Sequence, residues 1–122
     1  MAVLLTGGAG YIGLHTAVAL MDASLEVVIA DNFVNSKPEA VQLAEKITGK
    51  SIPVYAIDVA EKKALEKVFQ EHEIDAVIHF AGLKAVGESV QKPLKYYRNN
   101  LDATLTLLEV MAEFGVKKIV FS

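Results

Sequence analysis

Short apolar runs alternate along the chain with longer stretches in which apolar residues recur every three or four positions. The runs predict strands at Ala2–Thr6, Glu26–Ala30, Ile52–Ile57, Ala76–Phe80 and Lys118–Phe121. The intervening periodicity predicts helices from about Tyr11 to Asp22, Pro38 to Thr48, Glu61 to His72 and Pro93 to Phe114. Pro38 suits a first helical turn, and Gly49 and Gly115 suit helix ends. Strict strand–helix alternation predicts right-handed βαβ crossovers and a parallel sheet with helices on both faces. The first, second and fourth runs are apolar almost throughout, as strands buried on both faces should be. Pro53 cannot donate to a ladder and belongs on an edge strand. A strand order of 3-2-1-4-5 places the third strand at an edge. The fold class expected is therefore α/β, a Rossmann-like doubly wound parallel sheet, with residues 1–122 forming a single cofactor-binding domain.

The first strand runs into Thr6-Gly7-Gly8-Ala9-Gly10-Tyr11-Ile12-Gly13, and the second delivers Asp31 at its end. Strand, spaced glycines, helix, strand and terminal acid together predict dinucleotide binding. Glycines let the backbone turn and approach a pyrophosphate at a helix N-terminus, and the acid accepts from the adenosine ribose. Two frames overlap: Gly8, Gly10 and Gly13 fit G-x-G-x-x-G, while Gly7, Gly10 and Gly13 fit G-x-x-G-x-x-G. Both remain open at this level. Asp31 would repel the 2′-phosphate of NADP and accept from the free hydroxyl of NAD. Lys37 is the one cation nearby, so NAD is the cofactor expected.

Other positions join the site by their place at strand ends. Asp58 and Val59 follow the third strand, where a carboxylate and an amide could meet an adenine; the alternative is a polar turn. Phe80, Ala81, Gly82 and Lys84 follow the fourth strand at the switch point of the sheet, where ligands sit in such folds. Asn32, Asn35 and Ser36 are either turn formers or further ribose contacts. Asn99 lies early in the long helix and could face the loop after strand four or solvent. Gly49-Lys50-Ser51 ends a helix instead of following a strand, so it is not a P-loop. His15, His72 and His79 have no partner ligand at metal spacing and are expected to be structural.

Composition narrows the setting. The chain of 122 residues is 52% hydrophobic, carries a formal charge of −3 and has no cysteine. Mean hydropathy is +0.35, which calls for a sizeable core. The negative charge argues against general nucleic-acid binding. Thiolate chemistry and disulfides are excluded. No apolar run approaches the length of a membrane span, about 18 residues or more, and no leader pattern is present. A cytoplasmic protein is expected.

The glycine motif, Asp31-Asn32 and above all His79-Phe80-Ala81-Gly82-Leu83-Lys84-Ala85-Val86-Gly87-Glu88-Ser89 resemble the UDP-glucose 4-epimerase family of extended short-chain dehydrogenases/reductases. The resemblance runs through the whole chain. It implies NAD contacts at Gly7, Gly10, Tyr11, Ile12, Gly13, Asp31, Asn32, Asn35, Ser36, Asp58, Val59, Phe80, Ala81, Gly82, Lys84 and Asn99. It also implies the interconversion of UDP-galactose and UDP-glucose through a 4-keto sugar. Family chemistry uses a Tyr-x-x-x-Lys pair, and none of Tyr11, Tyr55, Tyr96 and Tyr97 has lysine four positions on. On this resemblance the chain is the cofactor portion, stopping after strand five, and inactive alone. A UDP-sugar would bind only with a further C-terminal part. Other readings are a stand-alone NAD-binding or interaction module, or a piece of another nucleotide-sugar dehydrogenase/reductase. The family's long helix forms half of a dimer bundle. Leu101, Leu105, Leu107, Leu108, Val110, Met111 and Phe114 exceed what one packed face needs, so self-association through 93–114 is expected. Leu14 and Ala23-Ser24-Leu25 depart from the family pattern, the latter lacking a usual glycine. Asp102-Ala103 is a third departure.

Overall fold

The computed structural model describes residues 2–33, 38–80 and 93–121, without the side chains of residues 93, 95–97 and 99. Among the described residues, five strands, β1 (Ala2–Thr6), β2 (Glu26–Asp31), β3 (Val54–Ala56), β4 (Ile74–His79) and β5 (Lys118–Phe121), are interspersed with four helices. These are α1 (Tyr11–Asp22), α2 (Pro38–Thr48), α3 (Lys62–Glu71) and α4 (Pro93–Glu113). The sheet is parallel in the order β3-β2-β1-β4-β5, as the pattern and Pro53 predict.

Alternation along the central strands builds two cores. Leu4, Val28, Ala30 and Val77 point to one face and pack with Leu65, Val68, Leu107 and Val110 of α3 and α4. Val3, Leu5, Val27 and Ile29 point to the other and pack with Ala17, Met21, Val41 and Ala44 of α1 and α2. Burial on both faces explains the continuous apolar runs.

The boundaries differ from expectation for local reasons. β3 begins at Val54 instead of Ile52, because Pro53 has no N–H for the ladder; its carbonyl still accepts from Ile29 N at 2.9 Å. β2 extends to Asp31, which pairs with Ala56. β4 begins at Ile74 and ends at His79. Its polar start hides an irregularity in which Ala2 pairs with Ile74 and Val3 with Ala76, leaving Asp75 between them. The Asp75 carboxylate accepts from Ala2 N at 3.0 Å. α3 is one residue shorter at each end, and α4 ends one residue early.

The missing glycine before β2 has a structural counterpart. α1 ends with Ser24 N donating to Met21 O and Leu25 N to Leu20 O, both at 3.0 Å. This closing turn places Ser24 at φ 66°. α4 ends the same way on Gly115, at φ 72°, with Val116 N donating to Met111 O at 2.8 Å. A side chain at positive φ is strained where glycine is not. Ser24→Gly is therefore expected to stabilise the fold by about 0.5–1 kcal/mol, read from denaturant midpoints. An unchanged or lower midpoint would contradict it. At the third departure, Ala103 is 5% exposed and packs in the core, while Asp102 is exposed.

Candidate cofactor site at the strand ends

The glycine loop joins β1 to α1, and the structure distinguishes its glycines. Gly7 turns the chain at φ 70°, and its N–H donates to Ala30 O at 2.7 Å. A Cβ on Gly8 would lie 2.7 Å from the Leu5 Cβ. A Cβ on Gly13 would lie 2.7–2.8 Å from Gly8 backbone atoms. Three glycines are therefore required by the chain's own turn and packing. Gly10 differs: φ is −73°, and a Cβ would meet only Gly7 O at 3.6 Å. No contact of the described chain demands glycine there, so each frame contains two internally required glycines and both share an open one. Gly10 caps α1 without a side-chain hydrogen bond, and the first turn holds no acidic residue. Tyr11 and Ile12 at that end are exposed. An uncapped helix N-terminus beside an open glycine suits an anion.

Asp31 closes the loop from the side. It is only 8% exposed, and its Oδ2 accepts from Ala9 N at 3.1 Å while Oδ1 accepts from Phe33 N at 2.7 Å. The carboxylate thus holds the glycine loop as well as its own turn, which places Phe33 at φ 58°. A carboxylate presents about four acceptor sites on its two oxygens, more than two backbone N–H groups occupy. The sequence predicts an acid facing a ribose; it does not predict that the same acid fastens Ala9. The signal for that second role is small: a buried acid on an otherwise apolar strand.

Ile57 N donates to Asp31 O at 3.1 Å, which sets Asp58 next to this corner. Asp58 Oδ1 accepts from Ala60 N at 2.9 Å, so the carboxylate forms the turn that the sequence offered as its plainer role. The Val59 side chain is buried in the α3–α4 core. Asn32 is exposed beside Asp31. Phe80 N donates to Thr6 O at 2.7 Å, which joins the ends of β4 and β1. Gly7, Gly10, Tyr11, Ile12, Gly13, Asp31, Asn32, Asp58, Val59 and Phe80 all lie on the segments that leave the C-terminal ends of β1–β4. Asn35, Ser36, Ala81, Gly82 and Lys84 lie outside the described residues, as does the side chain of Asn99.

The histidines have other partners. His79 is buried between Thr6 and Thr104. His72 Nε2 lies 2.9 Å from Tyr55 Oη, which donates to Glu71 at 2.9 Å. His15 meets the Tyr11 ring edge-on at 4.5 Å. Desolvation, then the hydrogen bond to Glu71 and its charge, raise the Tyr55 phenol above its ordinary range. On α4, a hydrogen bond with Glu66 leads the causes that raise the Glu113 carboxyl. Neither group belongs to the glycine loop. An open depression of about 420 Å³ follows the outer side of α1, lined by Tyr11, Ile12, His15, Thr16, Ala19 and Leu20. Of the expected cofactor residues it includes Tyr11 and Ile12. Among the described residues no cluster of three or more metal ligands occurs, and no helix is long and apolar enough to cross a membrane.

Known proteins resemble this chain over nearly its whole length. Residues 3–122 match the NAD dependent epimerase/dehydratase family. The chain is 57% identical over 122 residues to UDP-glucose 4-epimerase of Bacillus subtilis, covering all of this chain and 36% of that protein. It is 52% identical over 126 residues to the UDP-glucose 4-epimerase of Mus musculus, covering 98% of this chain and 36% of that one. A crystal structure of UDP-glucose 4-epimerase from Bifidobacterium longum, in complex with NAD+ and UDP, superposes with a TM-score of 0.98 at 53% identity. It covers 100% of this chain and 36% of that one. The chain thus spans about a third of the length of the relatives it matches.

Proposed function

The chain belongs to the NAD dependent epimerase/dehydratase family, and from that premise we propose that it is the NAD-holding portion of a UDP-glucose 4-epimerase. The observation that carries this reading is the glycine loop. Three of its glycines serve the fold, while Gly10 stands open at an uncapped helix end beside a buried carboxylate. Identity above 50% over the whole chain to epimerases supports it.

In this reading residues 1–122 form one NAD-binding domain. Gly7, Gly10, Tyr11, Ile12 and Gly13 present backbone to the pyrophosphate. Asp31, with Asn32, Asn35 and Ser36, takes the adenosine ribose, and Asp58 and Val59 border the adenine. Phe80, Ala81, Gly82, Lys84 and Asn99 line the crevice toward the nicotinamide. When bound, NAD supplies the reversible hydride acceptor needed to interconvert UDP-galactose and UDP-glucose through a 4-keto sugar. The base for that reaction would be a Tyr-x-x-x-Lys tyrosine, absent from these 122 residues, so the chain alone is proposed to be inactive. The UDP-sugar contacts would come from the larger remainder of such an enzyme. α4 supports proposed homodimerisation: Ala103, Leu107, Val110 and Met111 are buried, while Leu94, Leu101, Leu105 and Leu108 expose 40–70% of their surface along its length. Val120 and Phe121 on the edge strand β5 are also more than half exposed.

Cofactor selectivity tests the site directly. A buried carboxylate disfavours a 2′-phosphate, so parallel titrations are expected to show NAD binding at least about tenfold tighter than NADP. Equal or tighter NADP binding would defeat the assignment of Asp31.

A further inference from the structure

His79 is the last residue of β4 and is 5% exposed. Both ring nitrogens are engaged. Nδ1 shares a hydrogen bond with the hydroxyl of Thr6, which is fully buried and directly opposite in the β1–β4 register. Nε2 lies 3.4 Å from Thr104 Oγ1 on α4. The ring edge also meets Phe121 of β5, centroid to centroid at 5.8 Å. One side chain therefore joins β1, β4, β5 and α4 at the end of the sheet where the glycine loop starts. Thr6 immediately precedes Gly7, whose positive φ begins that loop.

A polar network at this depth is costly where apolar side chains would fill the same space. A satisfied one fixes a single arrangement. The backbone bond from Phe80 N to Thr6 O already ties β1 to β4, so holding the two strands together does not require the side chains. What the hydroxyl–imidazole bond adds is a directional constraint on Thr6, and through it on the start of the loop. We propose that His79 is a positioning residue for the cofactor, setting the start of the glycine loop against β4 through Thr6. This inference rests on the reading that the loop holds NAD.

Calorimetric titration with NAD separates positioning from mere stability, because the folded fraction sets the stoichiometry while the geometry of folded molecules sets the Kd. Thr6→Val keeps the shape and removes the hydroxyl; His79→Phe keeps a ring and removes both nitrogens. Each is expected to raise the Kd for NAD about tenfold. Thr6→Ser keeps the hydroxyl, and His79→Asn keeps a polar atom near the Nδ1 position. Each is expected to hold the Kd within about twofold, even though the smaller His79→Asn side chain lowers thermal stability. Parent-like Kd values for Thr6→Val and His79→Phe, whatever their melting temperatures, would overturn the proposal. So would affinities that follow stability, with His79→Asn among the weakest binders. Failure of the unsubstituted protein to bind NAD would overturn the underlying reading, and this inference with it.

Discussion

Replacing Asp31 by asparagine is expected to loosen the glycine loop before any cofactor is present. The carboxylate accepts one backbone N–H on each oxygen, from Ala9 and from Phe33. An amide offers one oxygen and one NH2, so either way it turns a donor toward a donor. Losing one hydrogen bond to a charged acceptor and leaving a buried N–H opposed costs about 2–3 kcal/mol. In the unliganded protein, hydrogen exchange at the Ala9 or the Phe33 amide, whichever the NH2 opposes, should rise at least about tenfold over the parent. NAD affinity should fall by about 10–100-fold, since the proposed ribose acceptor and the loop suffer together. If affinity falls while the unliganded Ala9 and Phe33 amides both stay equally protected, the carboxylate serves the ribose alone, and its hold on the loop and its own turn contributes nothing.

Alanine at Gly13 and alanine at Gly10 are expected to fail in opposite ways. At Gly13 the added methyl would sit 2.7–2.8 Å from Gly8 Cα, C and O. Backbone cannot step aside as a flexible side chain can. The substitution should therefore cost about 2–3 kcal/mol, a drop of roughly 10 °C in Tm for a domain of this size. At Gly10 the methyl meets only Gly7 O at 3.6 Å, and φ suits any residue. Stability should change by about 1 kcal/mol or less. In the proposed site the same methyl would stand where a pyrophosphate approaches the first turn of α1, so NAD affinity should drop at least about tenfold. Paired melting curves and titrations check both. A stable Gly10→Ala that binds NAD as the parent does would remove the reason given for glycine there.

The element order and strand order were legible because each rests on a pattern that survives folding. Doubly buried strands must be apolar, amphipathic helices must repeat at helical spacing, and Pro53 has few places to go. Boundaries were less legible. Pro53 shortens β3 through a donor that is missing, and the irregular start of β4 comes from pairing with Ala2, to which the polar Glu73 and Asp75 give no clue. In the site, the motif placed Gly10 after β1 and Asp31 at the end of the adjacent β2. It could not choose between glycine frames, because Gly8 is required by Leu5 and Ile29, and Gly13 by the Gly8 backbone. These are contacts between segments that no single window contains. The same holds for Asp31 on Ala9 and for His79 between Thr6 and Thr104. The histidines were expected to be structural, yet their partners became visible only when the register brought Thr6 opposite His79.

The most direct test of the central claim is a calorimetric titration of NAD into the mass-verified 122-residue chain, with circular dichroism confirming its α/β fold. Saturable binding of one NAD per chain is the predicted result, since the glycine loop, its helix end and Asp31 are all built from these residues. A chain with native-like circular dichroism that gives no saturable NAD binding would contradict the claim that these residues by themselves form the cofactor cradle.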